Sequence, residues 1–133
     1  MKILIIEEDK YLQKLYLSHL SEEGFKVKII SPIDNFEKEI EKAEVIISNW
    51  KLKKWGISDS RFFLKKALEK NKKIIIITSH SDSQVPKEVP KEIREKCDQF
   101  FQKPPNWLKL KNSLLRIKFL KFKEELEELF EPL

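Results

Sequence analysis

Short runs of Ile and Val recur along this chain, separated by longer stretches of helical spacing, and this alternation limits the possible folds most. The runs are KILII, FKVKII, EVIIS and KIIIITS, followed by a weaker one, DQFFQ. Continuous apolar runs of this length are typical of strands that are buried on both faces, as in parallel sheets. We therefore expect an α/β protein in which helices cover both faces of a parallel sheet.

The stretches between these runs predict the first three helices. The first should run from Lys10 to Glu23, where Gly24 follows as a stop signal. A short second helix should start near residue 32 or 34. A third is expected over residues 58–70, with Phe62, Phe63 and Ala67 on its inner side.

Two prolines, Pro86 and Pro90, exclude one continuous helix between the fourth and fifth strands, because proline is tolerated only in the first turn of a helix. We expect an extended or turn segment up to about Val89 and then a short helix over residues 90–96. A last, long helix should begin near Pro105 or Asn106 and continue to about residue 131.

The composition indicates one globular domain with a well-solvated surface. The chain has 133 residues, of which 37% are charged and 41% are hydrophobic. The net charge is +5, but the Lys residues stand beside Glu along the whole chain, so a basic nucleic-acid-binding stripe is disfavoured. Cys97 is the only cysteine, and the first apolar run ends at Glu7, too early for a signal peptide or a membrane span. We expect a cytoplasmic protein that does not interact with membranes.

Polar side chains follow the predicted strands at their carboxyl ends, where the sites of open parallel sheets are formed. No glycine-rich phosphate loop and no plausible zinc constellation accompany them. These strand-end residues are Glu7, Glu8 and Asp9 after the first strand, Asn49 after the third, Thr78 and Ser79 after the fourth, and Lys103 after the fifth.

The order of these residues resembles that of the receiver domain of bacterial two-component response regulators. ILIIEED resembles the acidic-pair segment of that family, and EVIISNW resembles the strand that carries the phosphorylated aspartate. IIIITS resembles the strand that ends in Thr or Ser, and DQFFQKPP the Lys-Pro segment. The resemblance covers residues 1–118 and implies a flavodoxin-like, three-layer fold with strand order 2-1-3-4-5. Residues 119–133 would then extend the last helix.

The resemblance also implies a role for each matching residue, and one of them departs from the family. An amide stands at the position of the acceptor aspartate, and an amide oxygen is a poor nucleophile. Phosphoryl transfer to this position is therefore not expected, and Mg²⁺ binding should be weak or absent. The matching residues are Glu7 and Glu8 as the metal-binding pair, Asn49 at the acceptor position, Thr78 and Lys103 as the phosphate-site residues, and Phe100 at the switch position.

We expect a non-enzymatic signalling and protein-interaction module of a two-component phosphorelay, a pseudo-receiver, whose partner is a histidine kinase or a downstream signalling protein. Two alternatives stay open. One is a conventional metal-binding regulator that uses another acceptor, for which Asp9 is the nearest candidate. The other is a small nucleic-acid-binding protein that uses its excess of Lys.

The last helix carries an apolar stripe beyond the length of a usual receiver. Its first half, with Leu110, Leu114 and Ile117, should cover the sheet, but the residues from 119 onward have no further chain to pack against. We expect this stripe to pair with a second copy or with a partner protein. Its residues at steps of seven are Leu108, Leu115, Phe122 and Leu129, with Phe119 and Leu126 between them.

Overall fold

Five parallel strands form one sheet in the order β2-β1-β3-β4-β5, as the resemblance implied. The structure is a computed structural model that describes residues 1–30, 36–52, 55–78 and 85–130. Every strand coincides with one of the apolar runs. The strands are β1 (Lys2–Ile6), β2 (Lys26–Ile30), β3 (Val45–Asn49), β4 (Lys73–Thr78) and β5 (Gln99–Gln102).

Helices connect these strands and cover both faces of the sheet. Asp9 caps the first helix, and Asn106 caps the last one. In each case the side-chain oxygen accepts a hydrogen bond from a backbone N–H group of the first turn. The helices are α1 (Lys10–Ser21), α2 (Phe36–Lys42), α3 (Arg61–Glu69), α4 (Val85–Glu88), α5 (Lys91–Lys96) and α6 (Trp107–Leu129).

The core has two layers because side chains of successive strand residues point to opposite faces. Leu4 and Ile6 of β1 pack on the side of α2, α3 and α5, whereas Ile3 and Ile5 pack on the side of α1 and α6. All four side chains are buried. The near-continuous Ile runs therefore reflect a sheet that is covered on both faces.

Two expectations about the helices need correction. Residues 85–88 form a single helical turn, which proline permits at its start, and Pro90 is then the N-cap residue of α5. Phe62 does not face the core: 55% of its surface is exposed, while the neighbouring Phe63 and Ala67 are buried. The expected start of the second helix near residue 32 or 34, and Ser79 after β4, lie outside the described residues.

None of the helices in the described part of the chain combines the length and the hydropathy of a membrane span.

Candidate functional site

The register of the sheet brings the predicted strand-end residues to one edge. Ile6 pairs with Ser48, which places Glu7 beside Asn49. Thr78 ends β4, next to the segment that leads to Lys103, and the Lys103 backbone N–H donates to the Thr78 carbonyl at 2.7 Å. Glu7, Asn49 and Thr78 are all buried. Polar groups therefore gather at the carboxyl ends of β1 and β3, where the order of the strands in the sheet reverses. This is the usual position of a site in such a sheet.

An ion pair between Glu7 and Lys103 occupies this edge. The Lys103 Nζ atom lies 2.9 Å from Glu7 Oε1, and Glu7 is 1% exposed. Burial raises the pKa of the Glu7 carboxyl, and the hydrogen bond and positive charge of Lys103 oppose that rise. The other carboxylate oxygen, Oε2, is buried and has no hydrogen-bond partner in the described structure.

The backbone around Glu7 is held by the start of α1. Asp9 Oδ1 accepts a hydrogen bond from the Leu12 N–H, and the Asp9 N–H donates to Glu7 Oε1 at 3.1 Å. The Gln13 side chain donates to the Glu7 carbonyl at 2.6 Å. The sequence analysis did not identify Gln13. Its position one helical turn after Asp9 could have indicated that its side chain lies near the end of β1. Asp9 therefore serves as a helix cap, as its place before the first helix suggested.

Asn49 is followed directly by a residue of the core. Trp50 is fully buried on the side of α2 and α3, and its backbone N–H donates to the Ile77 carbonyl at 3.0 Å. The Asn49 carbonyl accepts a hydrogen bond from the Ser48 hydroxyl at 3.0 Å. These contacts fix the position of the main chain at Asn49.

The remaining predicted residues are Glu8, Phe100 and four residues of α6. Glu8 is partly exposed and follows Glu7 in the chain. Phe100 lies within β5 and packs, partly buried, against the core on the side of α2, α3 and α5. The predicted interaction residues are all on α6 and exposed: Phe119, Phe122, Leu126 and Leu129.

The side-chain oxygen atoms at this edge are poorly suited to bind Mg²⁺. Mg²⁺ needs several oxygen ligands in octahedral geometry and is usually held by carboxylates. Here one Glu7 oxygen already binds the Lys103 ammonium, and the acceptor position offers a neutral amide. Within the described residues no three acidic, His or Cys side chains form a cluster that could hold a metal ion.

Comparison with known proteins shows which fold this is. No protein-family model and no curated protein matches the chain. Solved structures do match, among them a response regulator receiver domain protein from Clostridium thermocellum, with 22% identity, a TM-score of 0.67 and coverage of 90% of this chain and 98% of that one. The chain has the receiver-domain fold.

Other receiver domains match as well over nearly their whole length. The signal receiver domain of an HD domain-containing protein from Pseudomonas fluorescens has a TM-score of 0.75 at 15% identity, over 93% of this chain and 90% of that one. The receiver domain of a sensor histidine kinase from Pseudomonas aeruginosa has a TM-score of 0.68 at 17% identity, over 86% and 94%. That structure holds a magnesium ion in its active-site cleft.

Proposed function

We propose that this protein is a non-enzymatic, receiver-like signalling module of a two-component system that works without phosphorylation of its acceptor position. The observation that carries the proposal is the buried Glu7–Lys103 ion pair beside Asn49. The positive charge that would meet a phosphoryl group is already neutralised inside the protein. The residue in the acceptor position offers no nucleophilic carboxylate.

The partner in this proposal is a protein, either a histidine kinase or a downstream signalling protein, and the compartment is the cytoplasm. A nucleic-acid partner is not favoured, because basic and acidic side chains alternate on the surface. Lys28 pairs with Glu39, and Lys51 pairs with Glu88. Such alternation gives no continuous track for phosphates. The apolar face of α6 supplies a surface for a second copy or for the partner.

Intact-mass measurement after incubation with acetyl phosphate and Mg²⁺ tests the central step. We expect no mass gain for the wild-type chain, and a conventional receiver domain in the same buffer serves as the positive control. A gain of one phosphoryl group by the wild type, at any residue, would contradict the proposal.

The matched variant is Asn49→Asp, which restores a carboxylate at the acceptor position and changes no other group. Isothermal titration calorimetry should show Mg²⁺ binding that is tighter than in the wild type by about tenfold, or about 1.4 kcal/mol. The physical reason is the added negative charge next to Glu7. Equal affinities would show that the carboxylates at this edge do not converge on residue 49.

A further inference from the structure

The helix α6 has two apolar faces, and the sheet covers only one. Leu110, Leu114 and Ile117 are buried against the sheet, as predicted. Leu108 and Leu115 are 69% and 41% exposed, although we expected one continuous stripe to begin by covering the sheet. At 3.6 residues per turn, the exposed set lies on roughly the opposite side of the helix. We call this set the outer stripe: Leu108, Leu115, Phe119, Phe122, Leu126 and Leu129.

The outer stripe has the spacing of a helix-pairing seam. From Leu115 to Leu129 the apolar residues follow one another at alternating steps of four and three residues. Such a narrow seam is typical of coiled-coil contacts, whereas a membrane-surface helix has a wider apolar face. The seam therefore favours another helix as its occupant.

Five of the seven positions that flank the seam are basic, and the other two, Glu125 and Phe130, lie near the C-terminal end of the helix. Lys109, Arg116 and Lys123 follow the seam residues on one side and are exposed. Lys111 and Lys118 lie on the other side. Among these five, only Lys111 makes an ion pair with a described residue, Glu23, at 3.7 Å. The Lys118 ammonium lies 5.8 Å from the centroid of the Phe25 ring. The three basic residues on the first side of the seam thus remain available to a partner.

A second copy of this chain does not complement these charges. In a parallel pair the flanking positions of the two helices face each other, so Lys118 would lie beside Lys123 of the second copy. In an antiparallel pair, contacts between Lys118 and Glu125 would be offset by contacts between Arg116 and Lys123. Like charges at flanking positions act against pairing.

We propose that the outer stripe binds an amphipathic helix of another protein, with apolar residues at matching steps and Asp or Glu at the flanking positions. The proposal rests on the function proposed above only in treating the chain as a protein-interaction module. It concerns a surface away from Asn49, so the binding result and the phosphorylation result are independent.

Fluorescence anisotropy with two labelled peptides tests this on the full chain. Both are helices of about 28 residues, or four heptads, with Leu at the seam; one has Glu at the flanking positions and the other has Lys. The Glu peptide should bind at least about tenfold more tightly. This preference should weaken between about 50 mM and about 500 mM salt, because salt screens exposed charges.

Two double variants test the contributions of the seam residues and of the flanking residues to peptide binding separately. Phe122→Glu with Leu126→Glu should abolish binding of the Glu peptide, and both side chains are exposed, so folding should persist in circular dichroism. Arg116→Glu with Lys123→Glu leaves equal numbers of positive and negative flanking charges and should abolish the peptide preference. The same charge change at exposed positions of β2 and α3, Lys26→Glu with Lys65→Glu, should leave the preference unchanged.

Several results would overturn the proposal. These are equal binding of both peptides by the wild type, no binding of either, or an unchanged preference in the Arg116→Glu, Lys123→Glu variant. Sedimentation equilibrium that shows a dimer at high micromolar concentration would assign the stripe to a second copy instead. Binding to phosphatidylcholine–phosphatidylserine vesicles, with neither peptide bound, would assign it to a membrane surface.

Discussion

At the scale of single residues, the ammonium group of Lys103 stabilises a carboxylate that is almost wholly buried. A buried ionised carboxylate without a partner costs several kcal/mol, and the 2.9 Å contact with Lys103 Nζ offsets that cost. The pKa of Glu7 nevertheless stays raised, because burial outweighs the contact. Protonation of Glu7 therefore stabilises the folded state. This contribution is fully present at pH values below the unfolded-state pKa of Glu7, and it is lost as the pH rises through the folded-state pKa.

Removing the ammonium should make this pH dependence much larger. In Lys103→Met the unbranched apolar stem is kept, but Glu7 is left without a cation, so its folded-state pKa rises further. We expect the free energy of unfolding to fall by about 3 kcal/mol at pH 8, and this loss should shrink towards pH 5 as Glu7 takes up a proton. Urea unfolding at both pH values measures it.

The control is Lys26→Met at an exposed position of β2, where the same change should cost well under about 1 kcal/mol at either pH. An equal loss at pH 5 and pH 8 in Lys103→Met would show that the lysine acts through packing and not through the charge of Glu7.

The chemical types at this edge could be predicted from the sequence, but their contacts could not. Glu7, Asn49, Thr78 and Lys103 follow apolar runs, and parallel strands bring their carboxyl ends together, so their gathering follows from topology. The direct contact between Glu7 and Lys103 depends on side-chain rotamers and on the path of the loop after β5. Neither is encoded in local sequence patterns.

At the scale of elements, α6 begins where its cap dictates. Asn106 has extended backbone dihedrals, and its side-chain oxygen accepts a hydrogen bond from the Lys109 N–H at 3.1 Å. This start agrees with the sequence, which places Asn106 directly before the helical spacing begins. The break between α4 and α5 was likewise predictable from Pro90, whereas the single turn of α4 was not, because so short a helix has no periodic pattern to read.

Replacing this cap should destabilise the protein measurably. Asn106→Ala leaves the N–H groups of the first turn without a side-chain acceptor, and we expect a loss of about 1 kcal/mol in the free energy of unfolding. Asn112→Ala is the matched control, since Asn112 is an exposed residue within the same helix and alanine is the better helix former there. Thermal or urea unfolding compares the two. An equal loss in both variants would show that the amide of Asn106 does not act as a cap.

At the scale of the whole molecule, the sheet and its two covering layers account for the core as far as Ile117. That is the last buried residue of α6 within the described part of the chain. The order of apolar runs and helical segments was enough to predict this arrangement. The orientation of the outer stripe was not predictable in the same way, because apolar residues on two sides of one helix give overlapping periodic patterns.

Shortening the chain tests where the folded domain ends. A chain of residues 1–118 keeps Leu114 and Ile117. Among the described residues it removes only exposed side chains, together with a surface ion pair between Lys121 and Glu44 at 3.2 Å. Surface ion pairs contribute about 0–1 kcal/mol, so the free energy of unfolding of the 1–118 chain should stay within about 1 kcal/mol of the full chain.

A chain of residues 1–113 loses the buried side chains of Leu114 and Ile117. It should be less stable by about 4 kcal/mol or more, because each loss of a large core side chain costs about 2–5 kcal/mol. Urea unfolding of the three chains decides the matter. If residues 1–118 were as unstable as residues 1–113, the segment from Phe119 onward would be part of the folded domain and not an extension of it.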